Sequence, residues 1–245
     1  TNKTGITTGA SLVFDAMVAT YAETKVNRNL SGSFTIDMLV KPAKPDDDEV
    51  FFMHGDGQDL LLFGKTGDNK LWLSVGNDYL VKSRKLDAQM TDFTRTIVTY
   101  DKQSGEVHFY AGTQDVTDPS AASDATFTHT IAAPLNFGYG LIGGILEARV
   151  WTKALTPAEI ANTHMKYLSG YERELLAYYP MNEGEGETCI DKANGATLYI
   201  HGATWNFEKG ISLHITSTDS VELAGDLLAR SAIQDETLRL WFKTA

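Results

Sequence analysis

Short β-type runs broken by Gly, Asp and Asn turns fill the first 150 residues of this 245-residue chain, and this pattern restricts the fold more than any other feature. Candidate strands cover residues 11–14, 34–41, 50–54, 60–63, 70–75, 79–83, 94–100, 106–111 and 145–151. The turns between them include His54-Gly-Asp-Gly, Thr66-Gly-Asp-Asn, Gly76-Asn-Asp and Asp101-Lys-Gln-Ser-Gly, whose residues favour tight reversals. Several strands alternate cleanly. Leu71, Leu73 and Val75 share one face of their strand, and Lys70, Trp72 and Ser74 share the other. Val107, Phe109 and Ala111 oppose Glu106, His108 and Tyr110 in the same way. Such a period of two places one face on a core and the other towards solvent. Many short strands at regular spacing predict an all-β, antiparallel β-sandwich. One short helix interrupts it. Thr156 is its N-cap, Pro157 its first residue and Glu159 the third residue after the cap, and the helical pattern runs through Ile160 and His164 towards Tyr167 and a stop near Gly170.

β-type stretches resume at 175–180, 196–205, 211–216 and 237–243. Residues 210–215 (GISLHI) echo 9–14 (GASLVF), and 238–245 (LRLWFKTA) echo 36–43 (IDMLVKPA). Both pairs lie about 200 residues apart, a period that defines a domain-sized unit. The expected organisation is a first domain over 9–172. Residues 173–245 are then either the leading strands of a second, truncated copy or strands that complete the first domain. The polar segment 113–125 is expected to be an exposed loop.

The net charge of −11 argues against nucleic acid, which is bound by neutralising phosphates, and against an anionic membrane surface. No apolar run approaches the roughly 18 residues of a membrane span. Cys189 is the only cysteine, so no disulfide forms within the chain, and a small buried side chain is its expected role. The six histidines and Cys189 do not have zinc-ligand spacing. Nucleophile elbows and phosphate loops are absent.

A glycosidase needs two carboxylates across a scissile bond, which on a strand means acidic residues at alternate positions. The strands carry no such run. Asp46-Asp-Asp-Glu49 follows Pro45 and is expected to be a solvated turn, and Glu183 and Glu185 lie in a Gly-rich turn. Sugar sites stack an aromatic ring on the sugar face and flank it with polar groups. Trp72 is on the polar side of its strand, and by the same alternation His54, Arg95, His108 and Tyr110 are expected to share its face, with Asn77, Asp78 and Tyr79 in the adjoining turn. Two placements of Trp72 stay open: an exposed platform, or packing under a loop or in a second core layer.

The segment from Gly144 to Ile160 (GILEARVWTKALTPAEI) resembles the closing strand and helix of laminin G-like, or concanavalin A-like, jelly-roll domains. Residues 97–101 with 105–112 resemble their central hairpin. Residues 176–186, 191–195 and 202–205 resemble the leading strands of the next such domain in tandem bacterial surface proteins. The resemblance implies a jelly roll of two antiparallel sheets, secreted or displayed on a bacterial cell surface. Its expected partner is a glycan, an extracellular matrix component or a host surface protein. It also implies a calcium ion, with Asp15 at the family's calcium-binding position, although Ala16 follows where glycine is usual. The resulting expectation is a non-catalytic, lectin-like adhesion module. The alternatives are an architectural spacer and a glycoside hydrolase of the same fold.

Overall fold

The computed structural model describes residues 10–15, 20–76, 79–120 and 132–207. In chain order the strands are β1 (Ala10–Phe14), β2 (Tyr21–Thr24), β3 (Arg28–Asn29), β4 (Phe34–Pro42), β5 (Glu49–His54), β6 (Leu61–Lys65), β7 (Leu71–Val75) and β8 (Tyr79–Lys82). They continue with β9 (Thr94–Asp101), β10 (Glu106–Ala111), β11 (Gln114–Asp115), β12 (Ala132–Ala133), β13 (Leu135–Gly140) and β14 (Gly143–Trp151). Helix α1 (Pro157–Thr163) follows, and then β15 (Leu175–Tyr179), β16 (Thr188–Ile190), β17 (Thr197–His201) and β18 (Thr204–Phe207).

Two antiparallel sheets pack face to face. The first runs β11-β10-β9-β4-β14-β1-β18, and the second runs β16-β17-β2-β13-β5-β6-β7-β8. β3 and β12 form a separate two-stranded ribbon. The inner faces interlock as the alternation requires. Phe34, Ile36, Met38 and Val40 of β4 meet Phe52, Phe63, Leu73 and Phe137 of the second sheet in one core. Cys189 is fully buried in the same core.

The strands after the helix pair within these sheets. One edge of β14 is shared by β1, opposite Gly143–Ile145, and by β15, opposite Ala148–Trp151. β17 pairs with β2, and β18 with β1. The single stretch expected over 196–205 is two strands, separated at Gly202. The repeats at 210–215 and 238–245, and the strands expected at 211–216 and 237–243, lie outside the described residues.

α1 carries the expected capping box: the Glu159 amide donates to Thr156 Oγ1 at 3.3 Å, and the Thr156 amide donates to Glu159 Oε2 at 2.9 Å. It ends at Thr163 rather than near Gly170 because Arg149 takes up the terminal carbonyls. The guanidinium donates to Thr163 O at 2.9 Å and to Lys166 O at 2.6 Å, a cation at the negative end of the helix. Ile160 of the helix joins Ile97, Tyr110, Trp151, Leu155, Leu168 and Tyr178 in a second, smaller core on the outer face of the first sheet.

Beside that second core lies a buried charge network. Arg95 bonds Asp37 at 2.7 Å and also bonds Glu147. Arg149 bonds Glu147 at 2.8 Å and Asp37 at 3.4 Å. Two cations and two anions cancel, and burial opposes the Arg95 charge less than Asp37 and Glu147 support it, so its pKa is raised. Removing one partner strands the others in low dielectric. Arg149→Met is therefore expected to lower the unfolding free energy by roughly 3–5 kcal/mol in urea titration. A cost below about 1 kcal/mol, the scale of an exposed pair, would contradict this account of the network.

Candidate functional site

The outer face of the first sheet is occupied by α1, but the outer face of the second carries partly exposed aromatic side chains in register. In an antiparallel ladder, residues directly opposite share a face. β17 and β2 align His201 with Tyr21 and Tyr199 with Glu23. β6 and β7 align Gly64 with Trp72, and β7 and β8 align Trp72 with Lys82. Val50 pairs with Gly64 and, past a register shift in β13 between Phe137 and Gly140, with Gly140, and β13 aligns with β2 through Asn136–Glu23 and Phe137–Ala22. One row therefore reads His201, Tyr21, Val50, Gly64, Trp72 and Lys82 across the sheet. A parallel row reads Tyr199, Glu23, Asn136, Met53, Leu62, Ser74 and Leu80.

Local backbone geometry shapes both ends of the first row. Gly138 has φ +78°, and a Cβ there would stand 2.4 Å from the Phe14 ring, so only glycine allows β13 to kink at this point. The next residue, Tyr139, is half exposed, with its ring 5.9 Å from Tyr21. Tyr21 itself stacks on His201 at 4.4 Å and 21°. At the other end the indole of Trp72 lies over Gly64, its Cζ2 3.0 Å from where a Cβ would be. Polar groups flank the tyrosine end. Glu23 is 3.3 Å from His201, Lys25 sits 4.1 Å over the Tyr199 ring, and the buried side-chain oxygen of Asn136 has no protein partner. Apolar groups flank the tryptophan end, where Leu80 is 58% exposed and Leu62 partly so.

The residues expected to join Trp72 are distributed differently. Arg95 and Tyr110 are on the first sheet, Arg95 in the charge network and Tyr110 buried in the second core, where burial pushes its phenol up to about 12. His108 is also on the first sheet, partly exposed, 3.5 Å from Asp115 and 3.8 Å from Glu106. His54 is on the second sheet but points inward, fully buried, with Nε2 2.8 Å from Arg28 O, and burial lowers its pKa. The shared face expected for these four is therefore corrected: none accompanies Trp72. For His54 the cause is a register shift between Val50 and Phe52, which adds a residue and flips the parity of the strand end. For Arg95, His108 and Tyr110 the cause is sheet membership, which alternation does not encode. Asn77 and Asp78 lie outside the described residues, and Tyr79 begins β8 opposite Val75. Tyr21, Tyr139 and His201 were missed. The signal for Tyr21 and His201 was the alternation of Tyr21-Ala-Glu-Thr24 and Thr197-Leu-Tyr-Ile-His201.

Calcium requires six to eight oxygens. Asp15 is exposed, and its amide donates to Thr20 Oγ1 at 2.5 Å. Residues 16–19 lie outside the described residues. Among the described residues, His, Cys, Asp and Glu side chains do not form a group of three that could hold a metal ion. No helix among the described residues is long and apolar enough to cross a membrane.

Behind Val50, Glu49 is buried and accepts from the Ile142 amide at 2.8 Å. Its register partner Lys65 is also buried, and its ammonium donates to the carbonyls of Pro45, Asp47 and Thr66 at 2.7, 2.7 and 3.1 Å. The expectation of a solvated turn at 46–49 thus fails at Glu49. Burial pushes its carboxyl up to about 7, against the Ile142 amide and the Lys65 charge, which pull it down. The folded chain then holds a proton that the unfolded chain releases at lower pH, so this contribution to stability falls as pH rises from the ordinary carboxylate range through 7. Glu49→Gln removes that penalty. Relative to the wild type, its stability is expected to improve between pH 5 and pH 8 by up to roughly 3 kcal/mol. A pH-independent difference between the two would contradict this.

The fold and this open face meet a family. The model of the Concanavalin A-like lectin/glucanases superfamily, in its laminin G form, matches residues 16–161. The chain belongs to that family, and its sandwich is a concanavalin A-like jelly roll. A protein of Bacteroides ovatus ATCC 8483, named for a proposed role in carbohydrate binding, is similar over 84% of this chain, with 16% identity and a TM-score of 0.65. The chain spans 61% of that protein's length. The heptameric SAP-like pentraxin of Limulus polyphemus is similar over 85% of this chain and 99% of its own, with 12% identity and a TM-score of 0.59. At these identities the likeness is one of fold. No curated protein matches the sequence.

Proposed function

We propose that this chain is a non-catalytic carbohydrate-binding module of a secreted or surface-displayed bacterial protein, taking its glycan on the outer face of the second sheet. The observation that carries the reading is the aromatic row of Tyr21, Tyr139 and Trp72 on one face, flanked by Glu23, His201 and Lys82. Aromatic rings present flat apolar surface to the C–H face of a sugar, and the flanking groups address its hydroxyls. The carboxylates that do meet, Asp37 and Glu147, are buried and bonded to arginines under α1, which supports a binding role over hydrolysis. The alternative of an architectural spacer does not account for partly exposed aromatics held in one register.

The test is a broad glycan panel, run with calcium and again with a chelator. Binding is expected, and Trp72→Ala or Tyr21→Ala is expected to weaken it on the order of tenfold each, with thermal stability nearly unchanged. Silence across the panel in both arms, or binding indifferent to both substitutions, would overturn the reading and favour the spacer. Loss of binding in the chelator arm would place calcium in the site.

A further inference from the structure

Resting on that reading, we infer that the ligand is an extended glycan of at least four rings, lying across the strands, with an acetamido-bearing ring seated at Trp72. The length follows from the row. Tyr21 is on β2 and Trp72 on β7, with β13, β5 and β6 between them. Four strand spacings are about 19 Å, roughly four pyranose rings in an extended chain. Between the two aromatic platforms the row holds only Val50, Gly64 and Gly140, and the neighbouring Tyr139 stands at the tyrosine end. A floor of small residues bounded by rings suits the interior of a chain better than a single terminal sugar.

The ends differ in chemistry, which sets the direction of reading. The tyrosine end offers Glu23 and His201, groups that address hydroxyls and amide N–H donors. The tryptophan end offers Leu62 and Leu80, placed by register one row from Trp72, with Leu80 more than half exposed. An exposed leucine beside an aromatic platform gains from covering an apolar substituent on the sugar, and the acetyl methyl is the commonest such group on a polar ring.

Cello-oligosaccharides and chito-oligosaccharides of one to six units share a backbone and linkage and differ at the acetamido group, so titration against both series separates length from substituent. Affinity in the chito series is expected to climb until about four units and then level off, and the chito tetramer is expected to exceed the cello tetramer on the order of five- to tenfold. Leu80→Ser, a surface change, is expected to erase most of that preference. A single sugar binding as well as the tetramer would overturn the length inference, and equal binding of the two series would overturn the acetamido inference. If the panel yields a ligand but neither series binds, the inference falls while the carbohydrate-binding reading stands.

Discussion

Every sheet has two faces, and a sandwich buries only one of each. The architecture of this protein follows from how it disposes of the remaining two. On the first sheet, Asp37, Arg95, Glu147 and Arg149 form a neutral buried network, and Arg149 reaches from it to the carbonyls that end α1. Ile160, Leu155 and Leu168 then cover Ile97, Tyr110, Trp151 and Tyr178. Burying charge is costly unless each group is paired, and four mutually bonded groups meet that requirement. On the second sheet, by contrast, Tyr21 and Trp72 stay partly exposed and Tyr139 is half exposed.

The second sheet shows the complementary arrangement. Its inner face is apolar apart from the buried His54 and Thr24 and the Glu49–Lys65 pair. Its outer face mixes Tyr21, Tyr139, Tyr199 and Trp72 with single polar groups, a composition suited neither to a core nor to a plain solvated surface. Gly138 and Gly64 shape this face by omission: one permits the kink before Tyr139, and the other leaves the space over which Trp72 lies.

Much of the fold was legible because alternation and turn chemistry are local. Strands β4, β7, β9, β10 and β14 stand close to their expected bounds, and the capping box of α1 was readable from Thr156, Pro157 and Glu159. β13, Leu-Asn-Phe-Gly-Tyr-Gly, escaped because its glycines resemble a turn, although they serve a kinked strand. The site was legible only at Trp72. Alternation separates two faces of one strand, but it does not say which sheet the strand joins, what covers a face, or where a bulge reverses the count. Arg95 and Tyr110 were misplaced for the first two reasons and His54 for the third. Glu147-Ala-Arg149, charged residues at alternate positions of a buried strand, was the one sequence trace of the network under the helix.

The central claim is that the outer face of the second sheet is the ligand-binding face. A crystal structure of the chain soaked with a chito-tetramer tests it most directly. The account predicts sugar density running across the strands between Tyr21 and Trp72, with an acetyl methyl against Leu80. Ordered sugar on the helix-covered side, or confined to the loops at the sandwich ends with the second sheet bare, would contradict it.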